Sequence, residues 1–420
     1  MPLASIVHGD GKLDMSVLTY LGQIGELLGL VAHERRVAAA EVEKDTYPWN
    51  PKSDRMYLIA ERSPKFHDLL LSRLTDEFDG EQIWRFKLVW ADSVMVVLNV
   101  EDWRITQSVS RKQHALMYGL NTETFLDTLI YKMVSSLGPR TESRVNTLVF
   151  VPSELLFSFN PYLITYAGNS LVNQFDIAVA TRLHSNSEAS VRRDGICTML
   201  NPLGDELDGV SVEHDSMLKA FKKRDKSLVV LDKVRNELEL AECLKQTEIL
   251  HVNSHAIQGS LESSARDQSE VIELQGKTNI GVIARLIWSP LVQYSATTNN
   301  AEVMYGDGYL SPIEYDLYEI HAPKLVYLSA CRTVTSTSDK WEPPDGFLRM
   351  LFTRGTDCIV SSPIPVADKY APDYSGQFYE GYLDGLPPHQ CASKIVRNGI
   401  VHMKNPLSYG AYYPIYFETE

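Results

Sequence analysis

The sequence predicts an α/β fold, a mainly parallel sheet with helices on both faces, preceded by an α+β module. Three observations carry that prediction. The short apolar runs TLVFV, EILHV, LVYL and DCIV lack polar alternation, which is the pattern of strands buried on both faces. Two of them, in LHVNSHA and LVYLSACRT, stop at a small polar residue and then present one reactive side chain, as parallel strands do at the sheet edge where ligands bind. A helical pattern, RNELELAECLKQ, feeds directly into EILHVNS, an αβ unit that suits parallel pairing.

The chain has 420 residues, 44% hydrophobic and 22% charged. That composition is ordinarily globular, and the length suits two to three domains at about 150 residues each. The division expected is an N-terminal α+β module over 1–140 and a second domain over 141–420, with an insertion at about 258–306.

In the N-terminal module, Val17, Tyr20, Leu21, Ile24, Leu28 and Val31 recur at helical spacing and predict one amphipathic helix. MYLIA, FKLVW and SVMVVLNV read as strands, and a helix is predicted from Thr122 to Val134. No chemical motif occurs there, so the module is read as regulatory or as an extension of the sheet. In the second domain TLVFV and DIAVATR read as strands, and the polar stretch from Leu183 to Lys226 holds a weaker strand signal at ICTML. The basic run from Lys219 to Lys226 fits a solvated helix face better than a binding patch. The stretch from Ser260 to Gly306 is long beside loops of ~12–15 residues. It reads equally as an element that covers or activates a site and as an extra hairpin on the sheet edge.

The two reactive side chains are His255 and Cys331. If their strands are neighbours, a thiol meets an imidazole at one edge. A free thiol titrates near ~8.5, a neighbouring histidine lowers that, and the thiolate is the species that attacks a carbonyl. A cysteine ending an apolar strand is also a common packing residue. Ala330-Cys331-Arg332 fits the last three letters of the caspase signature, with the histidine upstream.

From about Val145 onward the order of motifs resembles the CHAT family of caspase-like cysteine peptidases, relatives of caspases and separase. A strand ending in a proline-containing turn, LVFVPSELLFSFNPY, is followed by LHVNSHA, DGYL at Asp307 to Leu310, and LVYLSACRT. After these come a strand ending in serine, a V-x-D turn and an F-Y helix, within DCIVSSPIPVADKYAPDYSGQFYEGYLDG. The resemblance implies a caspase-like fold with Cys331 as nucleophile and His255 as general base. It further implies backbone N–H groups of Ala256 and Cys331 receiving the oxyanion, and a substrate pocket near Asp307, Arg332, Ser362 and Asp368. It implies a regulated endopeptidase that cuts a specific protein substrate, answers to a regulatory or activating protein partner, and acts in bacterial defence or programmed cell death.

Two positions depart from the family pattern. Ala256 replaces the usual glycine after the histidine, and Arg332 replaces a common glutamate after the cysteine. These departures admit a second reading, a caspase-like scaffold that binds partners or senses a signal without cutting. Asp307 and Asp368 favour a basic substrate residue, Arg332 opposes them, and Asp368 also reads as a cap for the helix toward FYEGYL.

Composition and motifs narrow the remaining classes. A formal charge of -14 disfavours nucleic-acid and anionic-membrane surfaces. No apolar stretch approaches the ~18 residues of a membrane span, and a cytoplasmic location is expected. The five cysteines are too scattered for a disulfide framework or a zinc site, so a reducing compartment is expected, with Cys243 and Cys358 in the core. His251 and His255 have helical metal-site spacing, but on a strand that spacing separates them by ~13 Å, so His251 reads as a packed or orienting residue. Neither a P-loop nor a G-x-S-x-G elbow occurs. No metal and no cofactor are expected.

Overall fold

The computed structural model describes residues 54–64, 82–90, 93–136, 145–182, 195–200, 209–223, 228–231, 242–245, 247–253, 256–258, 286–288, 322–329, 351–352 and 354–418. The chain divides into two compact units, Met1–Asn50 with Ser63–Ile83, and Pro51–Arg62 with Trp84–Glu420. The second unit holds nearly all the described residues. The helix predicted between Val17 and Val31 lies outside them.

The elements begin with β1 (Arg55–Pro64), β2 (Gln82–Trp90), β3 (Ser93–Glu101), α1 (Asp102–Met117) and α2 (Phe125–Ser136). Next come β4 (Thr147–Pro152), β5 (Thr165–Tyr166), β6 (Asn169–Ser170), β7 (Asp176–Arg182), β8 (Ile196–Leu200) and α3 (Gly209–Lys222). After them come β9 (Leu228–Leu231), β10 (Ile249–Asn253), β11 (Ala256–Gln258), β12 (Leu286–Trp288), β13 (Leu325–Ser329) and β14 (Cys358–Ser361). The chain closes with α4 (Ala371–Leu383), α5 (Pro388–Val401), α6 (Pro406–Gly410) and β15 (Tyr413–Glu418).

Eleven strands form one sheet in the order β3-β2-β1-β4-β7-β15-β14-β13-β10-β8-β9. The pairs β1/β4, β4/β7 and β7/β15 are parallel, as are β14/β13, β13/β10, β10/β8 and β8/β9. The pair β14/β15 is antiparallel and forms the seam between the two parallel runs. The apolar runs of the sequence are these strands, and β4, β10, β13 and β14 are buried along their whole length. β15 has no counterpart in the sequence analysis because Pro414 breaks the strand pattern; in the ladder Pro414 pairs with Val360. YAGN is the tight turn between β5 and β6, with Ala167 at φ 48° and Gly168 at φ 78°, the two left-handed residues that a two-residue hairpin turn requires. β11 and β12 pair antiparallel as a separate two-stranded sheet.

α3 and α4 cover the face of β10 and β13 that carries His251 and Tyr327, with Phe221 and Tyr379 packing at 5.6 Å between ring centroids. Gly376 permits the close approach, because a Cβ there would lie 3.3 Å from that of Ser216. The opposite face carries Cys197, which pairs in register with Leu250 and is disulfide-bonded to Cys243, with 6.0 Å between the Cα atoms. This corrects the expectation that no cysteines pair: the fold closes a separation of 46 residues that sequence spacing does not reveal. Cys243 and Cys358 are buried, as expected.

One charged pair is buried beside the sheet. Lys112 on α1 donates to Asp127 Oδ1 at 2.8 Å, to Leu163 O at 2.7 Å, to Asn121 Oδ1 at 2.9 Å and to Thr122 O at 3.0 Å. Asp127 also accepts from the backbone and hydroxyl of Thr124. The network ties α1, α2 and the segment before β5 into one block. Removing the cation alone leaves a carboxylate out of water, so Lys112→Met is expected to cost about 3–5 kcal/mol in chemical denaturation. A loss well below that range would show that solvent reaches Asp127.

Candidate active site

The site is built on the pairing of β10 with β13. Their parallel register sets His251 beside Tyr327 and Asn253 beside Ser329. Asn253 and Ser329 end the two strands, at the carboxyl edge where α/β sheets place their chemistry. In sequence, His255 stands two positions beyond Asn253 and Cys331 two positions beyond Ser329. Neighbouring strands lie ~4.8 Å apart. The ladder therefore ends both strands on one paired row, Asn253 beside Ser329.

His255, Cys331, Asp307 and Arg332 themselves lie outside the described residues. Ala256 opens β11 and pairs with Trp288. Ser362 is fully buried, with its hydroxyl donating to Ile364 O at 3.0 Å and accepting from Ile364 N at 3.3 Å. Asp368 begins a 3-10 turn, Asp368–Tyr370, that runs into α4. Its carboxylate accepts from the backbone N–H of Gly209, the first residue of α3. Asp368 thus anchors the N-terminus of α3, where a negative charge meets the unpaired N–H groups of the first turn. Gly209 is required by this contact, since a Cβ there would lie 2.5 Å from Asp368 O and 2.8 Å from Oδ1.

Beneath the strand ends lies a buried polar layer that the sequence analysis did not find. Glu213 on α3 is fully buried and accepts from Asn253 Nδ2 and, at 3.1 Å, from Ser329 Oγ. Its other oxygen lies 3.5 Å from His251 Nε2. The opposite ring nitrogen, His251 Nδ1, is 3.1 Å from the Tyr379 hydroxyl, and the imidazole stacks on Tyr327 at 4.7 Å between centroids. His251 is therefore the packed residue expected of it. The signal for Glu213 was present in the sequence, because Gly209, Glu213, Met217, Ala220 and Phe221 form the buried stripe of α3 and only one of them is charged.

Burial sets the protonation of this layer. It pushes the Glu213 carboxyl up to about 7, against the hydrogen bonds from Asn253, Ser375 and Ser329 that favour the carboxylate, and Asp368 adds to the rise. It pushes His251 down to about 3, so the imidazole is neutral. Tyr327 and Tyr379 are raised well above the usual phenol range and stay protonated. Among the described residues no group of three His, Cys, Asp or Glu side chains is arranged to hold a metal ion. Among the same residues no helix is long and apolar enough to cross a membrane.

The two shifts have opposite consequences for stability. The stabilisation from Glu213 is full below about pH 4.5 and is lost as pH rises through about 7. That from neutral His251 is full above about pH 6.5 and is lost as pH falls through about 3. Glu213→Gln keeps an acceptor but cannot ionise. Its stability relative to the parent is therefore expected to rise by roughly 2–4 kcal/mol between pH about 5 and about 8, read from denaturation at each pH. A difference that does not change with pH would show that Glu213 titrates as an exposed carboxyl does.

A family model described as the CHAT domain matches residues 122–398. No curated protein matches the chain. Among solved structures, the separase–securin complex of Saccharomyces cerevisiae matches with a TM-score of 0.37 and 16% identity over 68% of this chain, which spans 16% of the length of that one. The match to the family model takes in well over half the sequence, including β10, β13 and every site residue named above: the protein belongs to the CHAT-domain family.

Proposed function

We propose that this protein is a cysteine endopeptidase working through Cys331 and His255. The observation that carries the reading is the register of β10 with β13, which sets Asn253 beside Ser329, with His255 and Cys331 each two positions further on in sequence. Membership of a caspase-like family supports it. In the reaction His255 takes the Cys331 thiol proton, and the thiolate forms a bond to the scissile carbonyl carbon. His255 returns the proton to the leaving amine as the C–N bond breaks. Water, deprotonated by His255, then attacks the thioester, releases the acid and restores the thiol. The backbone N–H groups of Cys331 and Ala256 hold the oxyanion in both halves; losing one such donor in other enzymes costs ~2.7–4 kcal/mol. The pocket for the residue before the scissile bond is set around Asp307, Arg332 and Asp368, with a basic residue preferred and the fully buried Ser362 behind it. The substrate is a specific protein, a second protein controls access, and the setting is defence or programmed cell death. The 1–140 segment either carries the control or serves as an extension of the sheet, which β1, β2 and β3 join.

Cys331→Ala and His255→Ala are each expected to abolish cleavage while leaving the melting temperature close to that of the parent, since both stand past the ends of their strands. Labelling with a cysteine-reactive peptide probe near neutral pH checks the chemistry: fast labelling lost in Cys331→Ala supports a peptidase, and its absence in the parent supports a binding scaffold. Cleavage is also expected to survive strong chelators. Loss in EDTA that zinc or calcium restores would overturn the metal-free mechanism.

A further inference from the structure

Glu213 is the charged residue that reaches both strands of the proposed dyad, and nothing in a Cys-His mechanism uses it. It accepts from Asn253 at the end of β10 and from Ser329 at the end of β13. These are the last residues before the two-step extensions to His255 and Cys331. Two residues of chain span at most ~7 Å, so the position of each strand end bounds where the residue beyond it can stand. The carboxylate is itself held from behind. α3 is fixed at its first residue by Asp368, packs its Phe221 on Tyr379, and presents Glu213 one turn in from the anchored end. Tyr379 in turn meets His251, which faces the free side of the same carboxylate.

We propose that Glu213 is a positioning residue: one carboxylate bridging Asn253 and Ser329 holds the ends of β10 and β13 at a fixed separation and so sets the approach of His255 to Cys331. This rests on the peptidase reading above. The bridge requires an acceptor with two accessible lone pairs at the same point. Leucine, close in size, supplies none and leaves both donors buried without a partner. Glutamine supplies one carbonyl oxygen that accepts from both. The groups facing the carboxylate are His251 and Asn253 from β10, Tyr327 and Ser329 from β13, Ser375 and Tyr379 from α4, and Asp368 ahead of α4.

The test is the rate at which iodoacetamide alkylates Cys331 in the full chain, followed by peptide mapping from pH about 5 to about 9. In the parent, Cys331 is expected to react faster than in His255→Ala. If it does not, the peptidase reading fails, whatever Glu213 does. Given that difference, Glu213→Leu is expected to slow alkylation ~10- to 100-fold, toward the His255→Ala rate, as a misplaced group does. Glu213→Gln is expected to recover most of the parent rate. Cleavage should follow the same order, with the loss in kcat rather than KM. Folding is checked by near-ultraviolet circular dichroism. A folded Glu213→Leu that reacts at the parent rate, or a folded Glu213→Gln as slow as leucine, overturns the proposal. Should the leucine variant not fold, Asn253→Ala with Ser329→Ala removes the two donors and spares Glu213. Slowed alkylation in that folded double variant supports the bridge, and an unchanged rate overturns it.

Discussion

The parallel pairing of β10 with β13 is the constraint from which the rest of the site follows. Parallel neighbours cannot be joined by a tight turn; the chain must cross over a face of the sheet, so both faces become covered and every polar group between the layers leaves water. Four polar or partly polar side chains stand on one face of this pair: His251, Asn253, Tyr327 and Ser329. The Tyr327 hydroxyl has no hydrogen-bond partner among the described residues, and the other three side chains find theirs on the helices above. α3 answers with Glu213 and α4 with Tyr379. The aromatic rings around Tyr327, including Phe378, Tyr379 and Tyr412, fill the space left between those bonds, with centroids 5.5, 5.6 and 5.9 Å away.

The strands were legible because burial on both faces writes itself into sequence as unbroken apolar runs. The ends of β10 and β13 were legible because the runs stop at small polar residues. What escaped was what depends on partners distant along the chain. Asp368 looked like a cap for the helix that follows it, yet its carboxylate serves a helix 159 positions earlier, and no local pattern encodes that distance. Cys197 on β8 and Cys243 in the helical turn 242–244 meet across a separation of 46 residues that no local pattern encodes. β15 was hidden by Pro414, which lowers the strand signal although the ladder tolerates it. α3 was hidden differently, inside a stretch whose polar composition masked a regular buried stripe. Counting period rather than polarity there would have exposed both the helix and the one carboxylate on its inner face.

Asp368 and Glu213 are two acids on one short path with unlike roles. Asp368 is partly exposed and meets the positive end of a helix, a place where a carboxylate is stabilised. Glu213 is fully enclosed and meets neutral donors, so its ionised form is costly. An apolar residue there would avoid that cost but would leave the Asn253 and Ser329 donors buried without an acceptor. The sheet thus tolerates at this point a group that weakens the fold near neutral pH.

The register of the two strands gives that cost a physical counterpart. β10 reads ILHVN and β13 reads LVYLS, apolar enough on both faces that hydrophobic burial alone does not distinguish neighbouring alignments. A slip of one residue turns every side chain of one strand to the opposite face. Asn253 would then stand without Ser329 beside it, the stack of His251 on Tyr327 would be lost, and Glu213 would face one donor in place of two. Each buried polar group stranded in this way costs about 1–3 kcal/mol, and several are stranded at once. The same carboxylate that is expensive in the correct alignment is therefore more expensive in any other, and the polar layer selects the register that the apolar residues leave open.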